Sequence, residues 1–114
     1  MAEKMSTIEF REFGRVDMRV GRVVDAARVE GTENLIRMSV DLGGEERRQA
    51  VAGLAKWYRP EQLIGNKYIF VANLKPTRLK GVESNCMILA AEDRGGNIVL
   101  LRPEADIEAG SKIR

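Results

Sequence analysis

The stretch that decides the fold is RRQAVAGLAKWYRPEQLIGNKYIFVANL, residues 47–74. It opens with a strand-like run over 47–52, loses that period, and resumes a strand-like apolar run over 67–74. Between the two runs, proline suits the first position of a helix and glycine suits its stop. We therefore predict a short helix from about Pro60 to Ile64, ended by Gly65.

Two further strand patterns precede this stretch. Apolar and polar residues alternate over 16–29, and Gly21 inside that run predicts a bend or bulge. Alternation over 35–42 predicts a second strand, and Gly43-Gly44 predicts a hairpin that joins it to the strand at 47–52. Ahead of them, a brief helix is predicted with Ser6 or Thr7 as its cap.

A basic segment, NLKPTRLKGVES at 73–84, follows the strand at 67–74 and holds three cations within six residues. We predict that it is a loop between strands, a position suited to contact with a polyanion such as RNA phosphate. Beyond it, residues 86–91 are a nearly continuous apolar run. A turn at 93–96 then joins this fifth strand to a further strand at 97–101.

Five or more short strands, with one helix between the third and the fourth, predict an all-β fold. The order is that of a five-stranded oligonucleotide-binding (OB-fold) barrel, here with short helices and a C-terminal strand extension. We expect a single domain over 1–114, with its core at about 14–92. In this fold the second and third strands, flanked by the loops after the first and fourth strands, face the ligand. The basic segment falls on the second of these loops.

Composition narrows the function classes. The chain has 114 residues, no histidine and one cysteine, and 44% of its residues are hydrophobic. Without histidine it lacks the usual general base and the commonest metal ligand, so we expect no catalytic site, metal or cofactor. No apolar run approaches a membrane span and no signal segment is evident, so we expect a cytoplasmic protein without membrane contact.

The formal net charge is only +2, so RNA affinity would depend on how the charge is distributed. Thirteen of the nineteen cations are arginine, whose planar guanidinium binds phosphate in a bidentate manner. That share either favours RNA binding or reflects a composition effect such as thermophily.

Six blocks, in unbroken order, resemble a known family. They are similar to the tRNA-binding domain at the C-terminus of methionyl-tRNA synthetases and to its free-standing relatives, and most of all to the archaeal type of synthetase, including its beta subunit. The blocks are Phe13–Gly21 (FGRVDMRVG), Val40–Gly43 (VDLG), Val51–Leu54 (VAGL), Pro60–Gly65 (PEQLIG), Asn73–Pro76 (NLKP) and Gly81–Met87 (GVESNCM).

The resemblance implies a homodimeric, structure-selective tRNA binder on an OB-fold barrel. It would help a methionyl-tRNA synthetase hold its tRNA, either as the C-terminal domain of that enzyme or as a separate chain. The initial methionine favours a separate chain. Two departures leave parts of the site open: Cys86 replaces a usual glycine, and residues 32–35 replace a bacterial His-Pro segment. The RNA contacts that the resemblance implies lie around Asn73, Lys75, Arg78, Lys80, Ser84 and Met87.

Physical chemistry suggests a role for each candidate. Lys75, Arg78 and Lys80 would neutralise phosphates, unless they are simply solvated. Ser84 and Asn85 would bond a ribose hydroxyl or a base edge, and Arg37 on the second strand would extend the groove. Alternative roles stay open for six residues. Cys86 and Met87 could belong to the barrel core, and Asn73 and Pro76 could form a turn. Trp57 and Tyr58 could either stack on a base or plug the barrel end.

Apolar residues in the N-terminal helix and at 98–101 exceed what one small barrel can cover. We therefore expect residues 1–13 and 93–114 to serve dimerisation. The competing function is a chaperone-like dimer on the same fold, which would bind extended peptide with little response to salt. A third possibility is docking onto a synthetase with incidental RNA contact.

Overall fold

Nine strands and two short helices follow one another over residues 5–45 and 47–114, which are the residues that the computed structural model describes. Nearly all the elements are strands, so the all-β prediction is confirmed. The elements are α1 (Phe10–Phe13), β1 (Met18–Arg28), β2 (Leu35–Asp41), β3 (Arg47–Gly53), α2 (Pro60–Leu63), β4 (Lys67–Val71), β5 (Thr77–Leu79), β6 (Val82–Ser84), β7 (Met87–Ile88), β8 (Ala90–Glu92) and β9 (Ile98–Leu100).

Five strands form one antiparallel sheet in the order β3-β2-β1-β4-β7. The sheet curls until the segment between β6 and β7 meets β3. There the backbone N–H of Asn85 donates to the Gln49 carbonyl at 2.9 Å, and the Gln49 N–H donates to Asn85 Oδ1 at 2.9 Å. With α2 between β3 and β4, this nearly closed barrel confirms the predicted OB-fold.

The interior is filled by the apolar side chains of alternate strand positions. Ile36, Met38 and Val40 of β2 are completely buried, as the alternation over 35–42 predicts. Leu63 of α2 is also completely buried, and it packs into the same core cluster as Phe70 of β4. The predicted helix from Pro60 to Ile64 is thus confirmed to within one residue, and it closes one end of the barrel.

Strand β1 bulges, but not at the glycine. Its register with β2 shifts between Val23 and Asp25, beyond Gly21. A Cβ on Gly21 would lie 2.6 Å from Phe70 Cδ1 and 2.7 Å from Val40 Cγ1. The strand therefore bulges, but the predicted position at Gly21 is wrong, and the glycine allows close packing across the barrel.

Two predicted strands end earlier than expected. The fourth strand stops at Val71 instead of Leu74, and just beyond it the Ala72 N–H donates to the carbonyl of Asp17, ahead of β1, at 2.7 Å. The run over 86–91 is split into β7 and β8 at Leu89, whose N–H donates to Ile69 while its carbonyl accepts from Leu101. At that residue the chain changes its pairing from β4 to β9.

The chain ends depart from expectation in two ways. The N-terminal helix begins after Glu9, which makes no side-chain cap, so the predicted Ser6 or Thr7 cap is wrong. The last residues return to β1: Val20 N–H donates to Ser111 O at 2.9 Å and Ile113 N–H donates to Met18 O at 2.9 Å. Part of the segment 93–114, which we expected to serve dimerisation, therefore contacts its own barrel. Of the other such segment, 1–13, residues 1–4 lie outside the described residues.

Candidate nucleic-acid interface

The basic segment, predicted as a loop between strands, forms a β-hairpin of its own between β4 and β7. Thr77 pairs with Ser84 and Leu79 pairs with Val82, which leaves a turn of two residues, Lys80 and Gly81. Their φ angles are +52° and +80°, the signs that a type I′ turn requires. We call residues 75–84 the basic hairpin. A short hairpin with such a turn holds its charges on a defined frame.

The hairpin has two faces, because side chains alternate along a strand. Ser84 is buried and Val82 half-buried on the face that packs against β3, while Arg78 and Glu83 point away on the other face. Beneath the hairpin lies an apolar cleft of about 170 Å³. The cleft is lined by Val51, Leu74, Lys75, Thr77, Leu79, Ser84, Cys86 and Met87.

The hairpin tip stands opposite the loop between β1 and β2. Residues 78–80 and 31–35 line the two sides of an open groove of about 560 Å³, which we call the groove. This is the arrangement that the OB-fold predicts, with the loops after the first and fourth strands flanking one binding surface. Glu33 is the one carboxylate among these lining residues, and it forms no ion pair with a described cation.

The three predicted phosphate contacts are available to a ligand. Lys75, Arg78 and Lys80 are exposed, and none of them forms an ion pair with a described carboxylate. Arg78 Nη1 donates to the Gly81 carbonyl at 2.8 Å, which braces the guanidinium over the turn and leaves its other N–H donors unused. Two of these cations border the groove and the third lines the cleft beneath the hairpin.

Asn73 uses its side chain inside the protein. Its Oδ1 accepts from the Asp17 N–H at 2.9 Å, and its Nδ2 donates to the Arg15 carbonyl at 2.7 Å. The amide therefore joins the base of the hairpin to the segment between α1 and β1. This is a positioning role, and it differs from the two roles considered from the sequence.

Ser84 and Asn85 likewise hold the hairpin on the barrel. The Ser84 hydroxyl accepts from the Val51 N–H at 3.1 Å and donates to the Cys86 carbonyl at 3.2 Å. Asn85 Oδ1 accepts from the Gln49 N–H, as described above. Gln49, which the sequence analysis did not single out, donates its Nε2 to the Glu83 carbonyl at 2.7 Å. The geometry thus commits these polar atoms to backbone groups of the chain itself.

Arg37 and Met87 lie on the outer surface but differ in setting. Arg37 extends from β2 and pairs with Asp25 across 3.7 Å, so a neighbouring carboxylate offsets its charge. Met87 is 46% exposed beside the apolar cleft, which argues against the core alternative for this residue. Cys86 does belong to the core, where burial raises the pKa of its thiol to about 11, and only 3% of the residue is exposed, in the wall of the cleft.

Trp57 and Tyr58 differ in burial, which separates the two alternatives of plugging the barrel end and stacking on a base. Tyr58 packs against the core, and its hydroxyl accepts from the Leu100 N–H at 3.1 Å, so it plugs the barrel end. Trp57 remains 39% exposed. The two neighbours therefore have different roles, which the dipeptide alone could not reveal.

A third cavity, of about 570 Å³, includes Asp17 and Arg19 in its wall, at the end of β1 remote from the groove. The Arg19 guanidinium binds both carboxylate oxygens of Asp17 at 2.9 Å, and this hydrogen bonding lowers the pKa of Asp17. The pair is therefore internally neutralised. Within residues 5–45 and 47–114 there is neither a cluster of potential metal ligands nor a helix long and apolar enough to span a bilayer.

Comparison with known proteins identifies the family. A family model described as "Putative tRNA binding domain" matches residues 18–112. Methionine–tRNA ligase of Methanosarcina mazei is 46% identical over 112 residues, which are 98% of this chain but 16% of that relative. The chain thus spans about a sixth of the length of such curated relatives.

Two solved structures share the whole fold. A methionyl-tRNA synthetase related protein from Pyrococcus horikoshii is 37% identical with a TM-score of 0.90, and the match covers 96% of this chain and 100% of that one. The chaperone CsaA of Bacillus anthracis is 32% identical with a TM-score of 0.86, over 96% and 100% of the two chains. With the match over residues 18–112, these similarities show that the chain belongs to the tRNA-binding domain family.

Proposed function

We propose that the chain is a non-catalytic, cytoplasmic module that binds folded tRNA through the basic hairpin and the groove. One observation carries the proposal. Lys75, Arg78 and Lys80 stand exposed on the basic hairpin without ion-pair partners among the described carboxylates; Arg78 and Lys80 lie opposite the loop at 31–35, and Lys75 lines the cleft beneath the hairpin. Cations fixed in this way suit the spaced phosphates of a folded RNA.

The mode of recognition follows from the chemistry of the exposed side chains. Described aromatic side chains near the groove are few, so backbone shape and phosphate position contribute more than stacking on a run of bases. Asn73, Ser84 and Asn85, which the sequence analysis placed in contact with RNA, act here as positioning residues. Lys75, Arg78 and Lys80 then make the direct contacts, with Met87 packing against a sugar or base edge beside them.

Membership of this family suggests that the chain assists a methionine–tRNA ligase. Relatives of this family include methionine–tRNA ligases, of which this chain matches one portion. A tRNA-binding module raises the affinity of a synthetase for its tRNA by adding contacts away from the reacting end, without choosing the amino acid. We propose that role here, with the module either joined to the catalytic chain or associated with it.

Dimerisation is part of the proposal and is supported by exposed apolar surface. Helix α1 buries none of its residues: Phe10 is 84% exposed and Phe13 is 42% exposed. Val99 on β9 is 59% exposed. Such apolar side chains favour association with a second copy, and two basic hairpins in one assembly would bind a large RNA with a higher effective concentration.

The proposal is tested by titrating unfractionated tRNA at several salt concentrations. The variant Arg78→Gln with Lys80→Gly removes two charges and keeps the turn, whereas Arg94→Gln with Arg114→Gln removes two charges elsewhere. We expect the first variant to lose roughly tenfold or more in affinity and to lower the salt slope by about one to two units. The second should match the wild type. Equal affinity for tRNA in both variants would remove the hairpin from the site.

Peptide binding is the second candidate, and the apolar cleft beneath the hairpin favours it. Leu79 is 39% and Leu74 is 45% exposed there, and a CsaA chaperone shares the fold. A peptide in this cleft would bind mainly by burial of apolar surface, so its affinity should respond weakly to salt. Binding of unfolded polypeptide that competes with tRNA and survives high salt would support this candidate over the first.

A further inference from the structure

Trp57 is the one tryptophan of the chain and lies at the surface, 39% exposed. It stands in the turn between β3 and α2, where its N–H donates to the Leu54 carbonyl at 2.9 Å. Its sequence neighbours Lys56 and Arg59 are exposed, and neither forms an ion pair with a described carboxylate. An exposed aromatic residue with two available cations close by in the sequence is a combination that nucleic-acid surfaces use.

The barrel does not need this indole for its core. Tyr58 supplies the plug through the hydrogen bond from Leu100, and Leu54 fills the space beneath the turn at 3% exposure. The backbone is nevertheless well fixed, since both Trp57 and Tyr58 donate to the Leu54 carbonyl. The main chain of the turn is therefore fixed, while Trp57 remains 39% exposed.

Hydrogen bonds join this turn to the wall of the groove. The Ala55 N–H donates to the Asn34 carbonyl, and the Lys56 N–H donates to Asn34 Oδ1, both at 3.0 Å. Asn34 lines the groove that faces Arg78 and Lys80. Consecutive Cα atoms are about 3.8 Å apart, so the backbone of Trp57 lies one peptide from a residue bonded to that wall.

We propose that Trp57 is a stacking platform for an unpaired base of the RNA that the basic hairpin binds, with Lys56 and Arg59 on the flanking phosphates. This inference rests on the proposed function and deepens it, because it specifies the class of ligand. The hairpin binds the phosphate backbone on one side of the groove. The turn at 54–59 receives a base that is not in a helix, so a folded RNA with exposed bases is preferred over a plain duplex.

The single tryptophan makes a site-specific test possible. Tryptophan fluorescence is recorded during titration with unfractionated tRNA and with a blunt-ended RNA duplex, while binding is measured independently by retention of labelled RNA on a filter. We expect tRNA to quench the fluorescence with the same midpoint as the filter assay. The duplex should bind more weakly and leave the fluorescence unchanged.

Two variants separate stacking from charge and from folding. Trp57→Leu should weaken tRNA binding by about 5- to 150-fold, the equivalent of one lost stacked base, without changing the salt slope or duplex binding. Trp57→Phe should recover part of the loss, because a smaller ring still stacks. Circular dichroism and the melting temperature of both variants should match the wild type.

The failures of the two proposals are distinguishable. Binding of tRNA that depends on Arg78 and Lys80 but leaves the fluorescence and the Trp57→Leu affinity unchanged would overturn this inference alone. Dissociation of a dimer by Trp57→Leu would also overturn it, since the ring would then serve the protein interface. Absence of tRNA binding in the filter assay would remove the inference together with the proposed function.

Discussion

Lys80 occupies a backbone conformation that suits a different residue. Its φ of +52° is the one positive φ at a non-glycine position among the described residues. The left-handed region costs an L-residue with a Cβ roughly 1–2 kcal/mol, and a type I′ turn favours asparagine or glycine in its place. A lysine at this position places a cation at the tip of the hairpin at some cost in stability.

The variant Lys80→Gly separates the backbone strain at this position from the contribution of the lysine charge to RNA binding. We expect the variant to keep or raise the melting temperature, because strain in the turn is relieved by up to about 1 kcal/mol, while tRNA affinity falls. Lys80→Asn serves as the matched control, since it also accepts a positive φ and also lacks the charge. A lower melting temperature in both variants would show that the lysine side chain stabilises the hairpin.

The Asp17–Arg19 pair gives the stability a defined response to acid. The hydrogen bond from Arg19, helped by its charge, lowers the pKa of Asp17 from its usual 3.8 in spite of an opposing effect of burial. A carboxylate with a lowered folded-state pKa stabilises the protein above its unfolded value and loses that contribution as the pH falls through the folded value.

We therefore expect Asp17→Asn to be less stable than the wild type above about pH 5, by under about 1 kcal/mol because solvent screens this partly exposed pair. The two proteins should converge toward pH 2, where the carboxyl group is protonated. Urea unfolding between pH 2 and pH 7 measures the gap. A gap that stays constant with pH would mean that the pair contributes through packing and not through charge.

At the scale of elements, the basic hairpin depends on a few polar contacts with β3. Ser84 is 8% exposed, and its hydroxyl satisfies the N–H of Val51. Ser84→Ala leaves that backbone group without its partner, so we expect a loss of about 1–3 kcal/mol in unfolding free energy. The salt slope of tRNA binding should not change, because no phosphate contact is removed.

Ser84→Thr keeps the hydroxyl and is the control for Ser84→Ala. Urea denaturation gives the stability of each variant, and the filter assay at several salt concentrations gives the slope. A stable Ser84→Ala protein with weakened tRNA binding would return this serine to the contact surface that the sequence resemblance implied.

How far the sequence predicts these elements depends on the range of the interactions. Pro60 and Gly65 act locally, so α2 is placed to within one residue, and alternation alone identifies β2. The hairpin escapes prediction because Lys80-Gly81 is a weak turn signal, although Thr77, Leu79, Val82 and Ser84 alternate around it. The alternation of these four residues on one face of the segment was the sequence signal that could have predicted the hairpin.

The site is harder to predict, since its polar residues bond to distant parts of the chain. Asn73 contacts Asp17 across 56 positions, and Ser84 contacts Val51 across 33. A polar side chain in a basic segment looks the same in the sequence whether it binds RNA or a remote backbone group. The cations Lys75, Arg78 and Lys80, and the exposed Met87, keep the RNA-contact role first predicted for them, as a proposal.

At the scale of the whole molecule, Asn73 links the hairpin to the N-terminal segment that precedes β1. Its side chain bonds to Arg15 and Asp17, and α1 with its exposed Phe10 and Phe13 lies just before them. Association of two copies through α1 would therefore position the two basic hairpins relative to each other. Dimerisation and RNA affinity are then coupled through geometry as well as through copy number.

Phe10→Ser with Phe13→Ser tests this coupling, because α1 contains no buried residue and its loss should not unfold the barrel. We expect a monomer in sedimentation equilibrium, an unchanged circular dichroism spectrum, and tRNA affinity lower by about 100-fold or more as bivalent binding is lost. The control is Ile64→Ser, which alters an equally apolar residue, 44% exposed, beyond α2. A variant that stays dimeric would place the interface elsewhere, and a monomer with full affinity would show that one hairpin and its groove suffice for the RNA.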